Sequence, residues 1–116
     1  MRYQITEHGD YLRAVIGADA ATDEFVEFYR ELQQRCATRG LDRALVVVLP
    51  EAAVPGPERL GLFDGVGFIE GFRLALVCAT WTLYQACNKA ERAATQAAVQ
   101  VRAFVQEMEA VRWLNG

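Results

Sequence analysis

The segment that decides the fold is ALVVVLPEAAVPGPERLG, Ala44 to Gly61. From Arg43 to Leu49 the residues are apolar on both faces, which is typical of a central strand covered on at least one side by helices. A loop follows, Pro50 to Pro57, and then a candidate helix to Glu70 that three glycines weaken. In α/β folds such a junction often holds phosphates or nucleophiles. Here the loop offers one ionisable side chain, Glu51, and no Ser, Thr, Cys, His, Asp or Lys.

Patterns on both sides of this segment predict the remaining elements. An apolar stripe at helical spacing, closed by Gly40, predicts a helix that opens at Thr22. His8-Gly9-Asp10 separates two β-prone runs, which indicates a hairpin turn. The other predicted elements are strands over Arg2–Glu7, Tyr11–Gly17, Phe72–Cys78 and Val99–Phe104, a helix from Thr80 or Thr82 to about Thr95, and a terminal helix over Gln106–Leu114.

This order predicts one α/β domain over residues 1–116, with a five-stranded, mostly parallel sheet whose first strand is antiparallel. Right-handed crossovers would place about four helices mainly on one face and leave the other face open. Alternation along three strands puts arginines on that open face, either as solvated side chains lying over the sheet or as a partner surface. The candidate interface residues on this face are Tyr11, Arg13, Arg73 and Arg102. One hypothesis is that they form the interface of a homodimer.

Composition narrows the classes of function. The chain has 116 residues and a net charge of −3, which disfavours nucleic acid as a partner. Its three cysteines have no metal-like spacing and favour buried free thiols in a reducing compartment. The N-terminus lacks an apolar signal core, and the longest apolar run is too short to span a bilayer. We therefore expect a cytoplasmic protein without metal or cofactor.

The pattern of the chain resembles a known family over essentially its whole length. The stretches that carry the resemblance are YQITEHGDYLRAVIGA (3–18), ALVVVLP (44–50), FRLALVCA (72–79), VQVRAF (99–104) and EAVRWL (109–114). They are similar to the SpoIIAA-like branch of STAS domains, which is often grouped with the SEC14 lipid-binding fold. The resemblance implies a small bacterial α/β domain that is generally not an enzyme.

One property of that family does not transfer. STAS relatives that act as anti-sigma-factor antagonists carry a phosphorylatable Ser or Thr in the loop after the central strand. In this chain that loop is PEAAVPGPERLG, Pro50 to Gly61, and it has no hydroxyl group. The resemblance therefore implies a STAS-like module without that phospho-switch.

Two functional hypotheses remain, both non-catalytic: binding of a protein partner or binding of a small apolar ligand. A SEC14-like carrier of lipid or an apolar metabolite is the alternative form of the second. Ligands of parallel sheets gather beyond the carboxyl ends of the strands. There the sequence supplies Pro50, Glu51, Val54, Pro55, Thr80, Trp81 and Tyr84. In the alternative interpretation, Trp81 and Tyr84 simply cover the end of the core, and Glu51 is a solvated loop residue. An enzyme is a distant third, because no nucleophile has a base beside it. The paired carboxylates Glu107 and Glu109 are expected on a solvated helix face.

Overall fold

A computed structural model of the chain describes residues 3–16, 22–49, 71–78, 84–85 and 99–116. These residues form one five-stranded sheet in the order β1-β2-β3-β4-β5, antiparallel at the first pair and parallel at the other three. The predicted sheet and the α/β class are confirmed. The elements are β1 (Tyr3–His8), β2 (Tyr11–Ile16), α1 (Thr22–Thr38), β3 (Arg43–Val48), β4 (Phe72–Cys78), β5 (Val99–Phe104) and α2 (Glu107–Asn115).

Two helices have bounds within the described residues, compared with about four predicted. The candidate helix over Pro57–Glu70 lies outside the described residues. Of the helix predicted from Thr80 or Thr82 to Thr95, only Tyr84 and Gln85 are described, and both are helical. Within the described residues, no helix is long and apolar enough to cross a membrane.

The hairpin turn is shorter than predicted. His8 is the last residue of β1 and pairs with Tyr11, so Gly9 and Asp10 alone form the connection. Gly9 has a φ of 68°, whereas no described residue other than glycine has a positive φ. A two-residue loop with positive φ only at its first position fits a type II′ turn, whose twist matches that of the strands.

Gly40 ends α1 as predicted. Its φ is 69°, and its amide donates to Ala37 O at 3.1 Å while the Leu41 amide donates to Cys36 O at 2.7 Å. These two bonds form a Schellman motif, in which a left-handed glycine lets following amides satisfy the last helical carbonyls. The chain thus reverses directly from α1 into β3.

The larger core lies between α1 and one face of the sheet. Every second residue of β2, β3 and β4 points into it, starting with Leu12 and Ala14 of β2. The predicted apolar stripe of α1 packs against this face. The side chain of one of its members, Phe25, is not described. The side chains with no exposed surface include Phe28, Tyr29, Leu32, Cys36, Phe72, Leu74 and Leu76. Burying each large side chain contributes about 1.5–3 kcal/mol, which makes this the main stabilising layer.

The opposite face is covered by α2, so the predicted open face is wrong. Leu45, Ala75 and Val77 of the sheet form a second, smaller core with Ala110 and Leu114 of α2. The handedness rule applies to a helix that connects two parallel strands. Helix α2 follows β5 and connects no two of the described strands, so that rule leaves it free to pack on the second face.

One cysteine differs from the prediction. Cys36 is a buried free thiol, as expected. Cys78, however, is disulfide-bonded. The spacing of three cysteines along a chain does not reveal which of them meet in space. Cytoplasmic location stays a prediction. The cysteines no longer support it, because disulfides persist mainly in oxidising compartments.

Candidate functional site

Most of the predicted strand-end site lies outside the described residues, namely Pro50, Glu51, Val54, Pro55, Thr80 and Trp81. The seventh member, Tyr84, is described and half-buried, and it packs against the edge of the larger core. Tyr84 also lines a pocket that the carboxyl end of β5 forms with the start of α2. We call it the β5 pocket; the described residues that line it are Tyr84, Arg102, Ala103, Phe104, Val105, Gln106 and Glu109.

The β5 pocket has a volume of about 440 Å³. This lies within the range of about 300–1,000 Å³ that is usual for small-molecule sites. Its position follows from the local sequence, because β5 ends at Phe104 and Val105-Gln106 turns the chain into α2. Gln106 is the N-cap of α2 and has extended backbone geometry. The pocket therefore has a strand on one side and the first turn of a helix on the other.

The chemistry of the β5 pocket is mixed. Tyr84 and Phe104 supply aromatic surface, and Val105 is an apolar residue that is 51% exposed. Arg102 lies with its guanidinium carbon 5.9 Å from the centroid of the Phe104 ring, within the range of a cation–π contact. Among the residues that the structure describes, neither Arg102 nor Glu109 has an ion-pair partner. The pocket thus presents one positive and one negative side chain to solvent.

A second groove, which we call the β1 groove, lies at the opposite edge of the sheet, between β1 and α1. Its volume is about 510 Å³. Here the charges already neutralise each other, since Arg39 pairs with Glu7 at 2.7 Å and Arg35 pairs with Glu31 at 2.9 Å. Tyr3 adds a hydrogen bond of 2.6 Å from its hydroxyl to Glu31 Oε1, which is the main reason that the pKa of Tyr3 is raised.

The candidate interface residues do not form one exposed surface. Arg13 donates two hydrogen bonds of 3.0 Å to the carboxylate of Glu107. Arg73 donates to the carbonyl of Trp113 at 3.4 Å and lies 5.9 Å from its ring centroid. Tyr11 is half-buried beside the smaller core, and Arg102 lines the β5 pocket. A partner role for this set stays a prediction, although two of its arginines have a partner inside the molecule.

Sequence reasoning missed what these arginines do. The guanidinium group of Arg43, at the start of β3, donates to the carbonyl of Leu114, and Arg73 does the same for Trp113. Both carbonyls belong to the last turn of α2, where orphan acceptors and the negative end of the helix dipole favour cations. The signal available in the sequence was Arg43 itself, a charged residue directly before an apolar strand.

Glu107 was also misplaced. Glu107 and Glu109 were interpreted as carboxylates on a solvated helix face, but only Glu109 fits. The hydrogen bonds from Arg13 hold the pKa of Glu107 below its usual value, against a smaller opposing effect of burial. Glu107 thus anchors the first turn of α2 to β2, 94 residues earlier in the chain.

The described residues contain little that could act in covalent catalysis. The thiol of Cys36 is buried and donates to the carbonyl of Arg43 at 3.6 Å. Burial, with a smaller effect of Asp42, raises the pKa of Cys36 to about 12, which disfavours the reactive thiolate. His8 contacts the hydroxyl of Thr6 at 3.2 Å and stacks on Tyr11. Within the described part of the chain, no group of three metal-ligating side chains comes together.

Comparison with solved structures identifies the fold. The chain is similar to the crystal structure of an uncharacterised protein of the DUF3478 family, with a SpoIIAA-like fold, from Shewanella loihica PV-4. The match has a TM-score of 0.53 and 18% sequence identity, and it covers 97% of this chain and 92% of the other. The SpoIIAA-like fold expected from the sequence is confirmed. No family model matches the chain, and no curated protein matches it.

Proposed function

We propose that this protein is a non-catalytic binding module of the STAS-like type that takes up a small ligand in the β5 pocket. The observation that supports this best is the position of the pocket. It lies at the carboxyl end of a parallel strand, where ligands of α/β sheets gather, and one of its lining residues is Tyr84. Among the described residues, its walls come from the end of β5 and the first turn of α2.

The ligand that fits this pocket is amphipathic. An aromatic or aliphatic group would pack on Tyr84, Phe104 and Val105, and polar groups would face Arg102 and Glu109. A wholly apolar ligand, such as the hydrocarbon chain in the SEC14-like alternative, would displace water from Arg102 and Glu109. It would offer no polar group to replace the lost hydrogen bonds. That loss is costly, because a desolvated charge needs a partner.

A protein partner is the second candidate, and exposed apolar residues near the same pocket support it. Val105 is 51% exposed and Met108 is 66% exposed, and both lie where β5 turns into α2. Flexible methionines are common on surfaces that bind other proteins. In this alternative the β5 pocket would receive a side chain of the partner. A homodimer would be one case of it.

The absence of catalysis and of a phospho-switch belongs to the proposal. The loop Pro50–Pro57 contains no hydroxyl group that could accept phosphate. His8 is the only histidine in the sequence. The binding hypothesis therefore requires no covalent step.

Native mass spectrometry of protein purified gently from its own host tests the proposal. We expect an additional mass that is lost on denaturation. Val105→Trp, which adds bulk to a wall of the β5 pocket, should abolish the additional mass. Gln34→Trp is the matched control, because Gln34 is an exposed residue that lines the β1 groove at the other edge of the sheet.

The outcomes separate the hypotheses. A bound mass lost only in Val105→Trp supports the β5 pocket. A bound mass lost only in Gln34→Trp would place the ligand in the β1 groove and contradict the proposal. The protein-partner alternative predicts a different result. The wild-type protein would show no additional mass but would retain a protein from host extract, and Met108→Glu would abolish that retention.

A further inference from the structure

We infer that the ligand of the β5 pocket is a zwitterion of the α-amino-acid class with an apolar or aromatic side chain. The inference rests on the proposed function, because it names the ligand class for the same pocket. It follows from three kinds of surface that one cavity brings together: a guanidinium, a carboxylate and aromatic carbon.

The positive group is Arg102. Its guanidinium lies over the Phe104 ring, with the carbon 5.9 Å from the ring centroid, so the aromatic ring restricts where the charge can go. A guanidinium presents parallel donors that match a carboxylate, and such bidentate pairs are the stronger hydrogen bonds in proteins. Arg102 is exposed and has no acidic partner among the described residues. It is therefore available for the ligand carboxylate.

The negative group is Glu109, in the first turn of α2. It lines the same pocket as Arg102, yet the two make no ion pair with each other. The β1 groove is an informative contrast, since its arginines and glutamates meet at 2.7 and 2.9 Å. In the β5 pocket the opposite charges remain separate, which leaves room for a ligand that carries both.

The rest of the cavity fits the side chain of such a ligand. Tyr84, Phe104 and Val105 supply the apolar surface, and a volume of about 440 Å³ accommodates a single amino acid. A simple anion would be repelled by Glu109, which has the same charge. A simple amine would be repelled by Arg102 for the same reason. Only a ligand with both charges meets favourable electrostatics at both groups.

The test uses the full chain and a panel of the twenty proteinogenic amino acids, screened by thermal shift and followed by isothermal titration calorimetry. At least one apolar or aromatic amino acid should bind, and glycine should bind more weakly. For an aromatic ligand, L-phenylalanine is compared with 3-phenylpropionate, which lacks the ammonium group, and phenethylamine, which lacks the carboxylate.

Two variants assign the charges. Arg102→Gln should weaken L-phenylalanine and 3-phenylpropionate about tenfold, the size expected for one charge-assisted pair, and leave phenethylamine unaffected or tighter. Glu109→Gln should weaken L-phenylalanine and phenethylamine by a similar factor and leave 3-phenylpropionate unaffected or tighter. Both side chains are exposed, so both variants should fold, and circular dichroism checks this. Gln34→Trp is again the control that leaves binding unchanged.

Failure of this inference can be told apart from failure of the proposed function. If no amino acid binds but dodecanoate does, and Val105→Trp prevents it, the pocket binds ligands and the zwitterion inference is overturned. If an amino acid binds equally well to wild type, Arg102→Gln and Glu109→Gln, the inference is also overturned. If neither class of probe binds and no mass co-purifies, both proposals fail.

Discussion

The two faces of the sheet are packed in different ways. On the first face, α1 contributes Phe28, Tyr29 and Leu32 to a layer held mainly by apolar packing. On the second face, α2 contributes Ala110 and Leu114, and polar contacts hold its two ends. A crossover helix is guided to its face by the strands that it connects. A terminal helix lacks that guidance, and directional contacts from arginines of β2, β3 and β4 fix its position instead.

The largest expected difference between the faces is in the free energy of unfolding. Phe28→Ala should lower it by about 3–5 kcal/mol, because a fully buried ring leaves a cavity in the larger core. Leu114→Ala should lower it by about 2–3 kcal/mol, because the end of a terminal helix can move to fill the space. Urea denaturation followed by circular dichroism measures both. Met108→Ala, an exposed position on α2, is the control and should change stability by less than about 0.5 kcal/mol.

Equal costs for Phe28→Ala and Leu114→Ala would show that the second face is as strongly packed as the first. A negligible cost for Leu114→Ala would show that α2 is not docked in solution.

A smaller effect is expected from the anchor of α2. A double-mutant cycle on Arg13→Ala and Glu107→Ala should give a coupling of about 0.5–1 kcal/mol, since the pair is bidentate but water screens it. The two side chains are 28% and 41% exposed. The reference cycle is Glu31 with Arg35, an i,i+4 pair on α1 for which about 0.3–0.5 kcal/mol is expected. A coupling at Arg13–Glu107 below that of the reference pair would contradict an anchoring role.

The smallest effect is a dependence of stability on pH. The pKa of Glu107 is lowered in the folded protein, chiefly by the hydrogen bonds from Arg13. Its contribution is therefore complete above the unfolded-state pKa of about 4.3 and is lost as the pH falls through the folded-state value. Glu107→Gln should make the loss of stability between about pH 5 and pH 3 shallower than in wild type. Urea midpoints measured at several pH values test this, and parallel curves for the two proteins would refute it.

The sequence predicted the sheet well because its signals are local. Alternation in Tyr11–Ile16, the continuous apolar run in Arg43–Val48 and the Gly9-Asp10 turn each act over a few residues, and chain order then gave strand order. The helical stripe with Gly40 after it likewise gave the bounds of α1.

The face taken by α2 and the pairing of its charges could not be predicted in the same way. Whether Arg13 is solvated or bound depends on a residue 94 positions later, and no periodicity encodes that distance. The β5 pocket was not predicted, although one of its lining residues, Tyr84, was expected at the strand-end site. Arg102 was placed on a sheet face rather than in a pocket, and Glu109 on a solvated helix, because their proximity arises only when α2 folds back over the sheet.

The order of the strands has a consequence for how the protein is made. Each strand pairs only with its neighbours along the chain, so during synthesis every new strand finds its partner already present. Helix α2 comes after all of them, and until it is complete Leu45, Ala75 and Val77 have no cover from it. During that interval this apolar part of the sheet lacks its cover from α2, and a chaperone that holds such surfaces would then have its greatest effect on yield.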